Sequence, residues 1–132
     1  MINSVIFDTN VILRYLVKDS PTQLLQAQKY IEEIEQGKLK GLISILVINE
    51  AAWVLEKYYD LEKEEYIPLL LKLLALKNFK ITEVKKDVII RALELMLKRN
   101  IDFTDAYLLC TKEDKEIFSF DEDLRKKITS YF

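Results

Sequence analysis

Apolar positions along the chain follow two rhythms. Val5, Ile6 and Phe7 form a short continuous run, which predicts a strand buried on both faces. Residues 41–45 predict a second buried strand, and 117–120 predict another. Residues 79–84 are more polar and predict an edge strand, and 128–131 add a short final one. Between these lie stretches of helical spacing. The first, 11–17, begins with no loop residues to spare after Asp8-Thr9-Asn10. Strands alternating with helices predict an α/β domain in three layers. Its centre is a mainly parallel sheet of four to five strands with helices on both faces.

Punctuation residues refine these helices. Ser20, Pro21 and Gln23 form a start signal with a capping box, Leu24, Ala27, Ile31 and Ile34 recur on one face, and Gly37 ends the helix. That face is either core or a subunit contact. Ser44 is placed to cap a helix over 45–59. A helix over 60–76 contains Pro68, so it either kinks there or starts near it. Its apolar run, 67–76, is wide for a surface helix and suits packing on another subunit. Residues 88–98 place Ile89, Ala92, Leu93 and Met96 inward, with Asn100 as the stop. A further helix runs over 102–112, with Asp102 as its N-cap.

Composition narrows the chemistry. The chain has 132 residues, one domain's worth, with no linker, repeat or low-complexity segment. No stretch is long enough to span a bilayer, and no basic segment precedes an apolar one at the N-terminus. The single cysteine, Cys110, has no internal partner, which suits a reducing, cytoplasmic setting. There is no histidine, so imidazole catalysis and histidine zinc sites are excluded. Two glycines, Gly37 and Gly41, are too few for a phosphate-cradling loop or a dinucleotide fingerprint. What remains is mostly carboxylate chemistry, with or without a hard metal ion; tyrosine, lysine or serine sites stay open but have no motif to support them. The net charge of −2 is not that of a typical nucleic-acid binder. Basic residues nevertheless cluster at Lys85–Lys86, Lys98–Arg99 and Arg125–Lys127, as ordinary solvated surface or as phosphate contacts.

The carboxylates occupy telling positions. Asp8 ends the first strand, where ligands bind in open parallel sheets. Glu50 lies in the 45–59 helix among Val47, Ala51, Trp53 and Val54. There it is either paired or metal-bound, or it sits at the edge of the apolar face and points to water. Asp105 follows the cap Asp102 by three residues and stands in the first turn, which suits the helix dipole as well as a ligand role. Asp121 closes the 117–120 run, and Asp121-Glu122-Asp123 reads equally as a turn or a helix start. Gathered at one rim, Asp8, Glu50, Asp105 and Asp121 would repel one another and require a cation. All-oxygen ligation selects Mg²⁺ or Mn²⁺, which suits phosphoryl chemistry by activated water.

These stretches resemble the motifs of PIN-domain ribonucleases, and among them the VapC-like toxins of toxin–antitoxin pairs. Val-Ile-Phe-Asp8-Thr9-Asn10 is similar to the first motif, and Asn49-Glu50 after Ser44 to the second. Phe103-Thr104-Asp105-Ala106 is similar to the third, and Ser119-Phe120-Asp121 to the fourth, with Asp123 as an additional acid. The resemblance covers nearly the whole chain, 1–132 as a single domain. It implies a four-acid Mg²⁺ or Mn²⁺ site of Asp8, Glu50, Asp105 and Asp121, with Thr9 or Asn10 as polar helper and Ser119 supporting it. It also implies endonucleolytic cleavage of RNA, often structured RNA such as tRNA, a homodimer, and an antitoxin that covers the site. Two alternatives stand beside it. One is an aspartyl-phosphate phosphohydrolase of haloacid-dehalogenase type, which wants an acid where this chain has Asn10. The other is a non-catalytic binding module of the same fold.

Overall fold

The computed structural model describes residues 3–131, the side chains of 129–131 excepted. The elements run β1 (Asn3–Phe7), α1 (Thr9–Val17), α2 (Pro21–Glu35), β2 (Leu39–Ile43) and α3 (Ile45–Lys57). They continue α4 (Lys63–Ala75), β3 (Phe79–Ile81), α5 (Lys86–Arg99), α6 (Phe103–Thr111) and α7 (Glu122–Tyr131). The three strands form a parallel sheet in the order β1-β2-β3, so β2 is central. Val5 pairs with Gly41 and Gly41 with Phe79; Phe7 pairs with Ile43 and Ile43 with Ile81.

This register stacks one face of the sheet into the core. Phe7, Ile43, Phe79 and Ile81 are all buried there. The Phe7 ring meets Phe79 edge-on, with centroids 5.3 Å apart. Gly41 leaves room for that ring: a Cβ here would lie 2.6 Å from Phe79 Cε1 and 2.9 Å from Ile34 Cδ1. The opposite face carries Lys40 and Lys80, both exposed, and Ile6, which is 72% exposed. The run Val5 to Phe7 is therefore not buried on both faces. It is an edge strand, and only alternate side chains enter the core.

Three strands pair among the described residues, fewer than the four to five expected. Residues 117–120 join no ladder, and 128–131 belong to α7 rather than to a strand. Phe118 and Phe120 are each 83% exposed and stack edge-on against one another at 5.2 Å. Alternating apolarity gives a segment an extended preference, but a strand needs a neighbour to receive its hydrogen bonds.

The helices bury the faces that their spacing predicts. On α5, Ile89, Ala92, Leu93 and Met96 are inward with Leu95, and Asn100 ends the helix in the left-handed conformation at φ 52°. Helix α4 starts at Lys63 and runs through Pro68. Pro68 is exposed, as is Glu64 one turn earlier, so the ring sits on the solvent side of the helix. Tyr66, Ile67, Leu70, Leu73 and Leu74 are buried within this chain, so that apolar run serves the core. The capping box at Ser20 does not form. Ser20 makes no side-chain cap bond, and Gln23 Oε1 accepts instead from Arg14 Nε at 2.9 Å.

Candidate active site at the carboxyl rim of the sheet

Because Phe7 and Ile43 are register partners, Asp8 and Ser44 leave the sheet side by side. Each then caps the helix that follows. Asp8 Oδ1 accepts from Val11 N–H at 3.0 Å at the start of α1. Ser44 Oγ accepts from Leu46 N–H at 3.1 Å at the start of α3. Both strands thus deliver a side-chain oxygen to a helix N-terminus, where backbone N–H groups favour negative charge. Thr9 is nearly buried behind Asp8, and Asn10 is exposed beside it.

A second acid shares this rim and was not singled out from the sequence. Glu83 lies just beyond β3; it accepts from the Ser44 hydroxyl at 2.6 Å and from Ile45 N–H at 2.8 Å. The Ser44 hydroxyl bond, with the Ile45 N–H behind it, holds the Glu83 carboxyl below its usual range. The signal was an acid shortly after an apolar strand, as at Asp8. Reading the strand as 79–84 hid it, since Glu83 then fell inside the strand, which ends at Ile81.

Glu50 is exposed, in the same surface strip as Leu46, 77% exposed, and Trp53, 62% exposed. Of its two sequence readings, the one that points it to water describes its place. Its apolar neighbours Ala51 and Ile48 face the core, while the 46–50–53 edge of α3 does not.

The remaining acids meet at the start of α6 and α7. Asp102 caps α6, accepting from Asp105 N–H at 2.9 Å. Asp105 is half-buried in the first turn. Burial first, then the charges of Asp102 and Asp121, holds its carboxyl above the usual carboxylate range, against a smaller pull from Lys127. Asp121 ends no strand; it accepts at Oδ1 from Asp123 N–H at 2.9 Å and Leu124 N–H at 3.2 Å, starting α7. Ser119 Oγ accepts from Asp121 N–H at 3.0 Å, and Asp123 stands exposed in the first turn. Asp105 and Asp121 are therefore brought within electrostatic reach of one another. Among the described residues, no three metal-ligating side chains stand close enough to hold an ion together. The donors are all hard oxygen, the kind that Mg²⁺ or Mn²⁺ takes, and the mutual repulsion at Asp105 is what a cation relieves.

A parallel α/β fold with acids leaving its carboxyl rim defines the class. Residues 5–128 match the PIN domain family, and the chain belongs to it. It is also similar to the Ribonuclease VapC2 of Methanocaldococcus jannaschii, at 26% identity over 141 aligned positions. That alignment covers 94% of this chain and 89% of the relative. No solved structure matches the chain significantly. No helix among the described residues is long and apolar enough to cross a membrane.

Proposed function

We propose that this protein is a metal-dependent endoribonuclease, the toxin of a VapBC-type toxin–antitoxin pair. The observation that carries the reading is the place of Asp8 at the carboxyl end of β1, in a chain of the PIN domain family. Similarity to a ribonuclease over nearly its whole length supports RNA as the substrate. Asp8, Glu50, Asp105 and Asp121 are the side chains that would hold Mg²⁺ or Mn²⁺. Such an ion supplies Lewis-acid activation of water and neutralises charge at phosphorus. The chain's own contribution is to position. Asp8 is fixed by its bond to Val11 N–H, and Asp121 by bonds to the start of α7. Thr9 and Asn10 follow Asp8, and Asp123 stands in the first turn of α7 with its N–H on Asp121, whose own N–H donates to Ser119. Arg14 and Lys127 offer positive charge near the acids for the RNA backbone. Water attacks phosphorus and the 3′ oxygen leaves, giving a 5′-phosphate and a 3′-hydroxyl. The protein acts in the cytoplasm as a homodimer on RNA, tRNA included, and an antitoxin silences it by covering the site.

A second reading rests on one observation. The acids are not gathered into a metal cage among the described residues, which favours a binding module without catalysis. One experiment separates the two. Purified protein should cleave RNA with Mg²⁺ or Mn²⁺ and stop with chelator. Asp8→Asn should slow cleavage by about 10²-fold or more, the scale of losing one electrostatic group from an active site. Cleavage by Asp8→Asn at the parent rate would sink the assignment. No cleavage and no heat of metal binding by the parent would favour the binding module. The aspartyl-phosphate alternative loses its basis, because the fold family is the PIN domain.

A further inference from the structure

A cavity of about 270 Å³ opens between α1 and α2, with Asp8 on its wall. Asn10 and Arg14 line it from α1; Gln26, Ala27 and Tyr30 line it from α2. Its parts have distinct characters. Ala27 is buried and gives an apolar floor. Tyr30 is 49% exposed, an aromatic wall half open to water. Asn10 and Gln26 are exposed amides, each able to donate and accept. Arg14 is fixed in place: its Nε donates to Gln23 at 2.9 Å, and its Nη1 to the Tyr59 hydroxyl at 2.9 Å and to Asp19 at 3.3 Å. The guanidinium is thus part of the wall rather than a mobile surface charge.

A flat apolar body with donors and acceptors around its edge fits this combination, and a nucleobase is such a body. Unpaired bases are recognised by stacking on aromatic rings and by hydrogen bonds to their edges. The size agrees, since about 270 Å³ lies just below the ~300–1,000 Å³ of pockets for drug-sized ligands. Because Asp8 belongs both to the cavity wall and to the proposed catalytic set, a base seated here belongs to a nucleotide adjoining the cut.

We propose that this cavity is a nucleobase subsite that holds one unpaired base of the RNA, with Tyr30 as the stacking surface and Gln26 and Asn10 as edge readers. The inference rests on the ribonuclease reading and adds to it the demand for an unpaired nucleotide beside the scissile bond. Tyr30 acts in binding, so its loss falls on affinity.

The test uses a labelled single-stranded oligoribonucleotide. Binding is measured in chelator by fluorescence anisotropy, and cleavage with Mg²⁺ or Mn²⁺. Tyr30→Ala should weaken Kd and raise KM by about 5- to 150-fold, the range of one lost base–aromatic stack, with kcat little changed. Tyr30→Phe, which keeps the ring face, should restore both. A parent that cleaves, with Tyr30→Ala unchanged in Kd and KM, overturns the subsite alone. A parent that neither binds nor cleaves RNA overturns the ribonuclease reading and the subsite with it. The unmutated protein gives a separate reading through amide chemical shifts on titration with adenosine monophosphate. Shifts at Gln26, Ala27 and Tyr30 support the subsite; shifts confined to other surfaces overturn it.

Discussion

Two stretches of this chain begin alike and end differently. Val5-Ile6-Phe7-Asp8 and Ile117-Phe118-Ser119-Phe120-Asp121 are both apolar runs closed by an acid and followed by a helix. In both, the acid accepts backbone N–H bonds at the next helix start. Only the first run is a strand. β1 lies beside β2 and sends Phe7 against Phe79, while Phe118 and Phe120 touch chiefly each other and water. The acid's capping role is local, set within three residues. Strand formation is not local: it needs a partner edge and a core to receive the side chains.

The widest separation between the two regions should appear in stability. Phe7→Ala should cost about 3–5 kcal/mol, the usual price of deleting a buried aromatic ring. Phe120→Ala should stay within about 0.5 kcal/mol, as an exposed position does. Urea denaturation measures both, and equal losses would break the contrast. A smaller effect should separate the two capping acids. Asp8→Ala should lower global stability by about 0.5–2 kcal/mol, because α1 buries Ile12, Leu13 and Leu16. Asp121→Ala should instead speed amide exchange within α7 and leave the global midpoint nearly unmoved. A global loss at Asp121 matching that at Asp8 would show that α7 unfolds only with the core.

The smallest effect lies at Glu83. Its carboxyl titrates below its ordinary value because the folded state holds the charged form through Ser44 and Ile45. The unfolded chain therefore binds the proton more readily. The resulting stabilisation is complete above the ordinary carboxylate pKa of ~4.3 and is lost as pH falls through the lowered folded value. Glu83→Gln should be less stable than the parent near neutral pH, and the gap should close as pH falls through the lowered folded value. Thermal melts across that window would read it, and a gap independent of pH would remove the charge from the explanation.

Helix faces were legible in the sequence because their spacing is tied to burial. Ile89, Ala92, Leu93 and Met96 were placed inward from period alone, and they are. Caps at Ser44 and Asp102 were legible for a similar reason, since a short polar side chain before an apolar helix has few other uses. The box at Ser20 was misread because Arg14, nine residues before Gln23, takes the Gln23 oxygen. Glu50 was ambiguous in sequence because the edge of an apolar face is fixed only when the helix docks.

By itself the sequence determined the succession of β1, β2 and β3 with helices between them, the exclusion of histidine chemistry and the carboxylate that ends β1. These follow from side-chain period, from the residue types absent, and from bonds within one helical turn. Only the tertiary structure decided which run becomes a strand, that Glu83 shares the rim with Ser44, and that Asp105 feels Asp121. It also decided that α1 and α2 leave a cavity beside Asp8. Each of those depends on groups far apart in the chain coming within a few ångströms, and local propensity carries no record of such distances.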